Sequence, residues 1–289
     1  MKLRCPECRE PLTPGDWHCP NRHRFFEDEG VLILLREDFR AHLEVFLKNF
    51  SRVRREMHGS TLAPEDYPLL PYGKAVADNP EWRVRQLDLE IALPLIERCD
   101  GPLTILELGA YNGWLTHHLA ARGHDVTVID YFLDDLDGLK TRRFYREKWR
   151  SIQMDIRNTG LLAARFDLII FNRCLQFFEN PLGYFDQLAG MLNPGGMILL
   201  LGMQMFKDPR LKLAAMARQQ AAFREQHHFD NFLVPLKGYL DFDDRAGLRR
   251  RGVRLIPYAR LAAANLRSLL QPTLPRHYYG VYQMPGRNI

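Results

Sequence analysis

Two groups of residues in this chain have types and spacings that chemistry requires. Near the N-terminus, Cys5-Pro-Glu-Cys8 is followed by ten residues and then by Cys19-x-x-x-His23. Two thiolates at a tight Pro-containing knuckle can grip one zinc ion, and Cys19 with His23 completes a tetrahedral set. Four protein ligands leave no open position, so this Zn2+ would be structural rather than catalytic. His18 is a rival fourth ligand, but its place beside Cys19 makes simultaneous coordination awkward. The alternative is free cysteines in a surface arm. A segment this short has almost no core, so metal binding would supply much of its folding free energy. Phe25, Phe26 and Val31-Leu32-Ile33-Leu34-Leu35 read as a hairpin strand closing the ribbon.

The second group lies in LTILELGAYNGWLTHHLAARGHDVTVID, residues 103–130. Leu103 to Leu108 is an apolar run of the kind that forms a strand buried on both faces. Glu107 ends it, Gly109 and Gly113 frame a turn, and Trp114 to Ala121 has a helical pattern. Gly123 stands where a helix C-cap glycine belongs. A second strand, Val126 to Ile129, ends in Asp130. This order is the first half of a nucleotide-binding doubly wound sheet, with the acid placed to hold both ribose hydroxyls. The turn lacks the G-x-G-x-x-G spacing that cradles a pyrophosphate, so an adenosyl ligand without phosphate fits better.

The elements that position these residues continue downstream. Tyr131-Phe132-Leu133 offers a surface for stacking, residues 134–147 read as a charged helix, and Ser151 to Met154 as a third strand ending at Asp155-Ile156. Phe166 to Phe171 is a fourth strand that runs into Asn172. Asn180-Pro181 starts a helix through Leu192, and Leu192-Asn193-Pro194-Gly195-Gly196 turns into a fifth strand, Met197 to Leu201. Gly252 to Pro257 and Tyr278 to Met284 read as the sixth and seventh strands. Upstream, residues 36–58 form an amphipathic helix with Phe39, Leu43, Phe46, Leu47 and Phe50 on one face. Residues 59–80 are broken by prolines, and their Tyr67, Tyr72 and Lys74 are read as surface packing in preference to a lid. Trp82 to Cys99 is a second helix with Leu87, Ile91, Leu95 and Ile96 as its stripe and Pro94 as a bend.

E-x-G-x-x-x-G followed by a strand ending in an acid, with L-x-P-G-G before a late apolar strand, resembles class I S-adenosylmethionine-dependent methyltransferases. The resemblance covers residues 103–202 and departs at Tyr111, where those proteins usually have glycine. It implies an α/β, Rossmann-like seven-stranded methyltransferase sheet whose last strand is antiparallel. S-adenosyl-L-methionine would sit against Glu107, Gly109, Ala110, Tyr111 and Gly113. Asp130 would hold the ribose, Tyr131 would stack, Asp155 would accept from the adenine amine, and the Ile156 N–H would meet the ring. Asn172 would face the methyl group. Gln176 stands where many small-molecule enzymes carry histidine, and no N-P-P-Y-type motif begins at Asn172, which argues against amino-adenine methylation. Cys174 reads as a small residue filling a tight turn. His227, His228 and His277 are the candidates for a general base. The N-terminal segment resembles zinc ribbons fused to bacterial methyltransferases, including the 23S ribosomal RNA guanine-N1 enzymes.

The 289 residues are 46% hydrophobic and 26% charged, enough for one large domain and a small appendage. The expected division is a zinc ribbon at 1–35, a helical linker at 36–99 and a methyltransferase domain at 100–289, with a lid-like insertion around 203–251. No apolar run reaches membrane-spanning length, MKLRCPECRE does not read as a signal peptide, and crowded cysteines argue against a secreted disulfide framework. The expectation is a cytoplasmic protein with no membrane partner and unspecified oligomeric state. Residues 207–289 hold 15 Lys/Arg against 6 Asp/Glu, while the rest holds 25 against 29. The leading expectation is methyl transfer to a small-molecule or glycan-type metabolite. Methylation of RNA, bound through the basic C-terminal third, is the alternative, followed by a non-catalytic binding protein and, more distantly, a nicotinamide-dependent oxidoreductase.

Overall fold

The computed structural model describes residues 1–57 and 62–286. Strands β1 (Lys2–Leu3), β2 (Phe26–Asp28) and β3 (Val31–Leu34) precede helices α1 (Glu37–Met57) and α2 (Pro80–Ile96). Then come β4 (Thr104–Leu108), α3 (Trp114–Ala120), β5 (Asp125–Asp130), β6 (Arg150–Met154), β7 (Leu162–Ala163) and β8 (Phe166–Asn172). The last third holds α4 (Pro181–Ala189), β9 (Leu192–Phe206), α5 (Arg210–His227), β10 (Leu240–Asp241), α6 (Phe242–Arg250), β11 (Arg254–Pro257), α7 (Ala262–Leu270) and β12 (Pro275–Gln283). These elements fall into two compact units, and the division cuts α2 after Arg83 and β8 after Leu168.

In the first unit β4, β5 and β6 are parallel neighbours, Leu106 opposite Thr127 and Ile129 opposite Ile152. Their apolar runs are buried on both faces, as parallel strands covered by helices must be. The opening of β8 is tied to β4, the Thr104 N–H donating to Asp167 at 2.9 Å. On the other side β3 pairs in parallel with β6 and antiparallel with β2. The short β1 pairs with β7. Helix α1 buries Leu43 and Val53 and brings Phe39 to Tyr131 and Phe50 to Phe132, with ring centroids 5.9 and 5.5 Å apart.

In the second unit the long β9 is antiparallel to β12, which is antiparallel to β11 in turn. The short β10 runs parallel to the end of β9. The result is the expected α/β methyltransferase fold with a mixed sheet, enlarged by β2, β3 and β10. No helix among the described residues is long and apolar enough to cross a membrane.

Several sequence expectations are corrected. Residues 134–147 are not a helix. Asp134 turns its carboxylate onto the N–H groups of Leu136 and Asp137, both at 3.0 Å, and such local bonds compete with a helix. Only a 3-10 turn, Leu139–Phe144, forms there. The expected turn at 192–196 is the start of β9, which continues to Phe206 because β12 pairs with it from Met197 onward. Val31–Leu34 does more than close a ribbon, since it is a strand beside β6. Tyr67 is not a surface residue: it is buried, stacked on Phe144, and its hydroxyl donates to the Leu136 carbonyl at 2.7 Å. In α2 the buried positions are Trp82, Asp88, Leu89, Ala92 and Ile96, so a carboxylate occupies the inward stripe. His58, the last residue of the expected first helix, residues 59–61 and the final residues 287–289 lie outside the described residues.

Candidate active site

Strands β4, β5 and β6 end side by side, and the residues after them collect at one edge of the first unit. Between β4 and α3 the chain turns through Gly109, Ala110, Tyr111, Asn112 and Gly113. Gly109 and Gly113 have φ of 71° and 79°, and Tyr111 takes the same left-handed region at 55°. A side chain on Gly113 would come within 3.2 Å of Trp149, so both conformation and space require glycine there. Tyr111 has no such freedom. Its ring is set against Trp82, with centroids 6.3 Å apart.

Asp130, buried at the end of β5, accepts the N–H groups of Tyr131 at 2.7 Å, Phe132 at 3.1 Å and Tyr111 at 3.3 Å. Burial outweighs these bonds and pushes its carboxyl up to about 6. Glu107 points inward, accepting from the Thr116 hydroxyl at 2.6 Å. Ala110 is buried in the turn. Tyr131 donates its hydroxyl to Asp155 at 2.9 Å. Arg157 grips Asp155 with two bonds of 2.8 Å, and Asn158 reaches it at 3.3 Å. Ile156 opens the 3-10 turn that Asp155 caps.

Sequence reasoning passed over two residues here. Asn112 is fully buried, and neither its amide oxygen nor its amide nitrogen has a protein partner. A polar side chain inside a glycine turn was the available signal. Arg157 gave none, because its partnership with Asp155 depends on the turn between them.

The second unit places Asn172, buried, at the end of β8. Arg173 follows in the left-handed region, with φ of 59°. Its guanidinium donates to the buried Asp88 of α2 at 2.9 Å, and Asp88 also accepts the Tyr258 hydroxyl. His277 lies near enough to Arg173 for that charge to add to burial in holding its imidazole below the usual range. His227 and His228 end α5, a helix with no buried residue, and His227 packs against Phe223. The three histidines are thus not gathered. Cys174 is buried in the turn after β8.

A family profile described as a methyltransferase domain matches residues 81–236. The chain belongs to this methyltransferase domain family. No curated protein matches it. Among solved structures, the carbon methyltransferase CurJ is 15% identical, with 86% of this chain and 68% of that chain covered and a TM-score of 0.48. The plantazolicin methyltransferase BpumL, in complex with a triazolic desmethylPZN analog and SAH, is also 15% identical, covering 87% and 98% at a TM-score of 0.47. The N-methyltransferase NodS from Bradyrhizobium japonicum WM9 is 21% identical, covering 72% and 98% at 0.42. With TM-scores below 0.5, these likenesses decide nothing about the methyltransferase's site.

The family match begins after the N-terminal segment, where Cys5, Cys8, Cys19 and His23 converge. Their ligand atoms all lie within 4.8 Å of one another. Cys8 and Cys19 sulfurs are 3.6 Å apart, and His23 Nδ1 is 3.3 Å from Cys19 and 3.6 Å from Cys5. A tetrahedron with zinc–sulfur bonds near 2.3 Å has edges of about 3.8 Å, so the set fits that ion. Each knuckle closes through a left-handed residue, Arg9 donating to the Cys5 carbonyl and Arg22 to that of Cys19, both at 2.9 Å. His18 instead lies 2.9 Å from the carboxylate of Asp16.

Proposed function

We propose that this methyltransferase takes its methyl group from S-adenosyl-L-methionine and passes it to a small-molecule acceptor. The observation that carries the reading is the buried Asp130 at the end of β5, facing the glycine turn that follows β4. An ionised carboxylate there accepts two ribose hydroxyls, and the turn brings main-chain N–H groups close to the ligand. The orphaned amide of Asn112 supports the same reading, since a buried polar group without a protein partner is accounted for by a ligand or water. Tyr131 would lie against the adenine. Asp155 would accept its amine in place of the 3.3 Å bond from Asn158, its weakest partner. Glu107, whose carboxylate is held by Thr116, would act by fixing the turn.

The donor supplies an electrophilic sulfonium methyl, displaced in line by the acceptor. The chain's share is to hold donor and acceptor in line and exclude water, an effect worth on the order of 7–11 kcal/mol. Of the three candidate bases, His277 is the half-buried one near the Arg173 guanidinium, and we assign it proton acceptance from the acceptor. The four-residue Cys/His set would hold one structural zinc ion, whose binding would fix the fold of the first residues.

Calorimetric titration of the zinc-loaded protein with S-adenosylhomocysteine, with NAD as the control, tests the donor. Micromolar binding of S-adenosylhomocysteine alone is expected. Tyr111→Gly should bind within about threefold of wild type, because the main-chain N–H to Asp130 is retained. A gain of tenfold or more would mean that the Tyr111 ring occupies the donor's place, which favours the non-catalytic reading.

A further inference from the structure

We propose that the second unit holds a carboxylate of the methyl acceptor, with Arg173 as the residue that grips it. The inference rests on the function proposed above and names the class of acceptor: a small organic acid.

Arg173 directly follows β8, at the carboxyl end of a strand, where ligands of open α/β sheets bind. Its backbone is held in a conformation that a non-glycine residue rarely adopts. Two local bonds fix it there: its N–H donates to the Phe171 carbonyl at 3.0 Å, and its carbonyl accepts from the Gln176 amide at 2.7 Å. The side chain is fixed with equal care. Nη1 donates to Asp88 Oδ2 at 2.9 Å. The other oxygen of Asp88 accepts the Tyr258 hydroxyl, which in turn accepts the Gly202 N–H at 2.8 Å. Gly202 has φ of 61°, and a Cβ there would fall within 2.5 Å of the guanidinium. Glycine is therefore required for the arginine to lie where it does.

This arrangement uses one donor of five. The edge formed by Nε and Nη2 has no protein acceptor among the described residues, and the side chain is 22% exposed. Such an edge matches an oxyanion through two parallel bonds. Asp88 selects among oxyanions. A singly charged carboxylate is favoured over a phosphate, whose second charge would face the Asp88 carboxylate. A purely structural ion pair needs neither the strained backbone nor the open fork.

The test uses full-length, zinc-loaded protein saturated with S-adenosylhomocysteine and labelled with ¹⁵N-arginine. Sodium acetate is titrated at constant ionic strength, and the Nε–Hε signals are followed at pH 7.5. The expected result is a saturable shift of the single Arg173 signal, assigned by its loss in Arg173→Lys, with inorganic phosphate binding more weakly than acetate. Acetate affinity, read by calorimetry, should fall at least tenfold in Arg173→Lys. Tyr258→Phe frees the second oxygen of Asp88 to close the fork, and should weaken acetate at least about threefold even if the lysine variant does not fold. An unsaturable shift, an effect spread over many arginines, or unchanged affinity in both variants overturns the proposal. So does phosphate binding more tightly than acetate. The donor affinity measured in the same samples separates the two readings: if S-adenosylhomocysteine binds and acetate does not, only the carboxylate site falls. If S-adenosylhomocysteine does not bind, the proposed function falls, and the acceptor assignment falls with it.

Discussion

Asp130 carries the sharpest consequence at the scale of a single residue. Three N–H groups point at it, yet burial prevails and lifts its carboxyl to about 6. Ribose hydroxyls donate, so the bound state requires the ionised form. Below pH 6 the free protein must release a proton before binding, and affinity then falls about tenfold for each unit of pH. The sign is therefore weaker binding in acid. The dissociation constant for S-adenosylhomocysteine at pH 5 should be about ten times that at pH 7. Asp130→Asn should bind weakly with no such slope. Calorimetry at pH 5, 6 and 7 decides it, and a flat wild-type profile would remove Asp130 from the ribose site. Its position was legible in the sequence, because a strand followed by a glycine turn, a helix and a second strand puts the terminal acid at the carboxyl edge of the sheet. The environment was not. Nothing local to Asp155 revealed that Arg157, Asn158 and Tyr131 already hold it, and nothing local to Arg173 revealed Asp88, 85 positions earlier in the chain.

At the scale of elements, the parallel strands could be read because they are apolar runs with no other stable use. The misread segments are those where a side chain or a distant strand overrides the local pattern. Asp134 diverts residues 134–138 into a turn, and β12, paired with Met197 to Phe206, carries the strand after the Pro-Gly-Gly string well beyond Leu201. The N-terminal segment is the case with most consequence. All four residues of β3 are buried, and Val31 to Leu34 pair in register with Ser151 to Met154. Losing this strand would leave an open, apolar sheet edge beside β6, the kind of edge that recruits other chains. The Cys/His set holds the segment that leads into β2 and β3. Elemental analysis should find one zinc per chain. Cys19→Ser or exhaustive chelation should lower the melting temperature by on the order of 10 °C, a few kcal/mol for a domain of this size. The variant should also aggregate more readily than wild type. An unchanged melting temperature after the metal is stripped would mean that β3 is held by the sheet alone.

At the scale of the whole molecule, the C-terminal third has a positive excess that invites a nucleic-acid reading, with 15 Lys/Arg against 6 Asp/Glu over residues 207–289. Five of these fifteen cations pair with carboxylates of the chain. Arg210 pairs with Asp208, Arg224 with Asp230, Arg251 with Asp186 and Arg260 with Glu90, while Lys237 is shared by Asp241 and Asp244. Arg245 and Arg276 lie over the Phe242 ring, 4.8 and 5.0 Å from its centroid. Charges committed to carboxylates release few counterions when phosphates approach, so the salt dependence of RNA binding should be shallow. A structured RNA fragment should bind no more tightly than ~10⁻⁵ M at physiological salt, within the non-specific range, with a log–log salt slope of about −2 or less in magnitude. Titration by fluorescence anisotropy from low to moderate salt measures both quantities. Submicromolar binding with a slope steeper than about −5 would show that these arginines trade their carboxylates for phosphates, and RNA would then replace the organic acid as the acceptor to pursue.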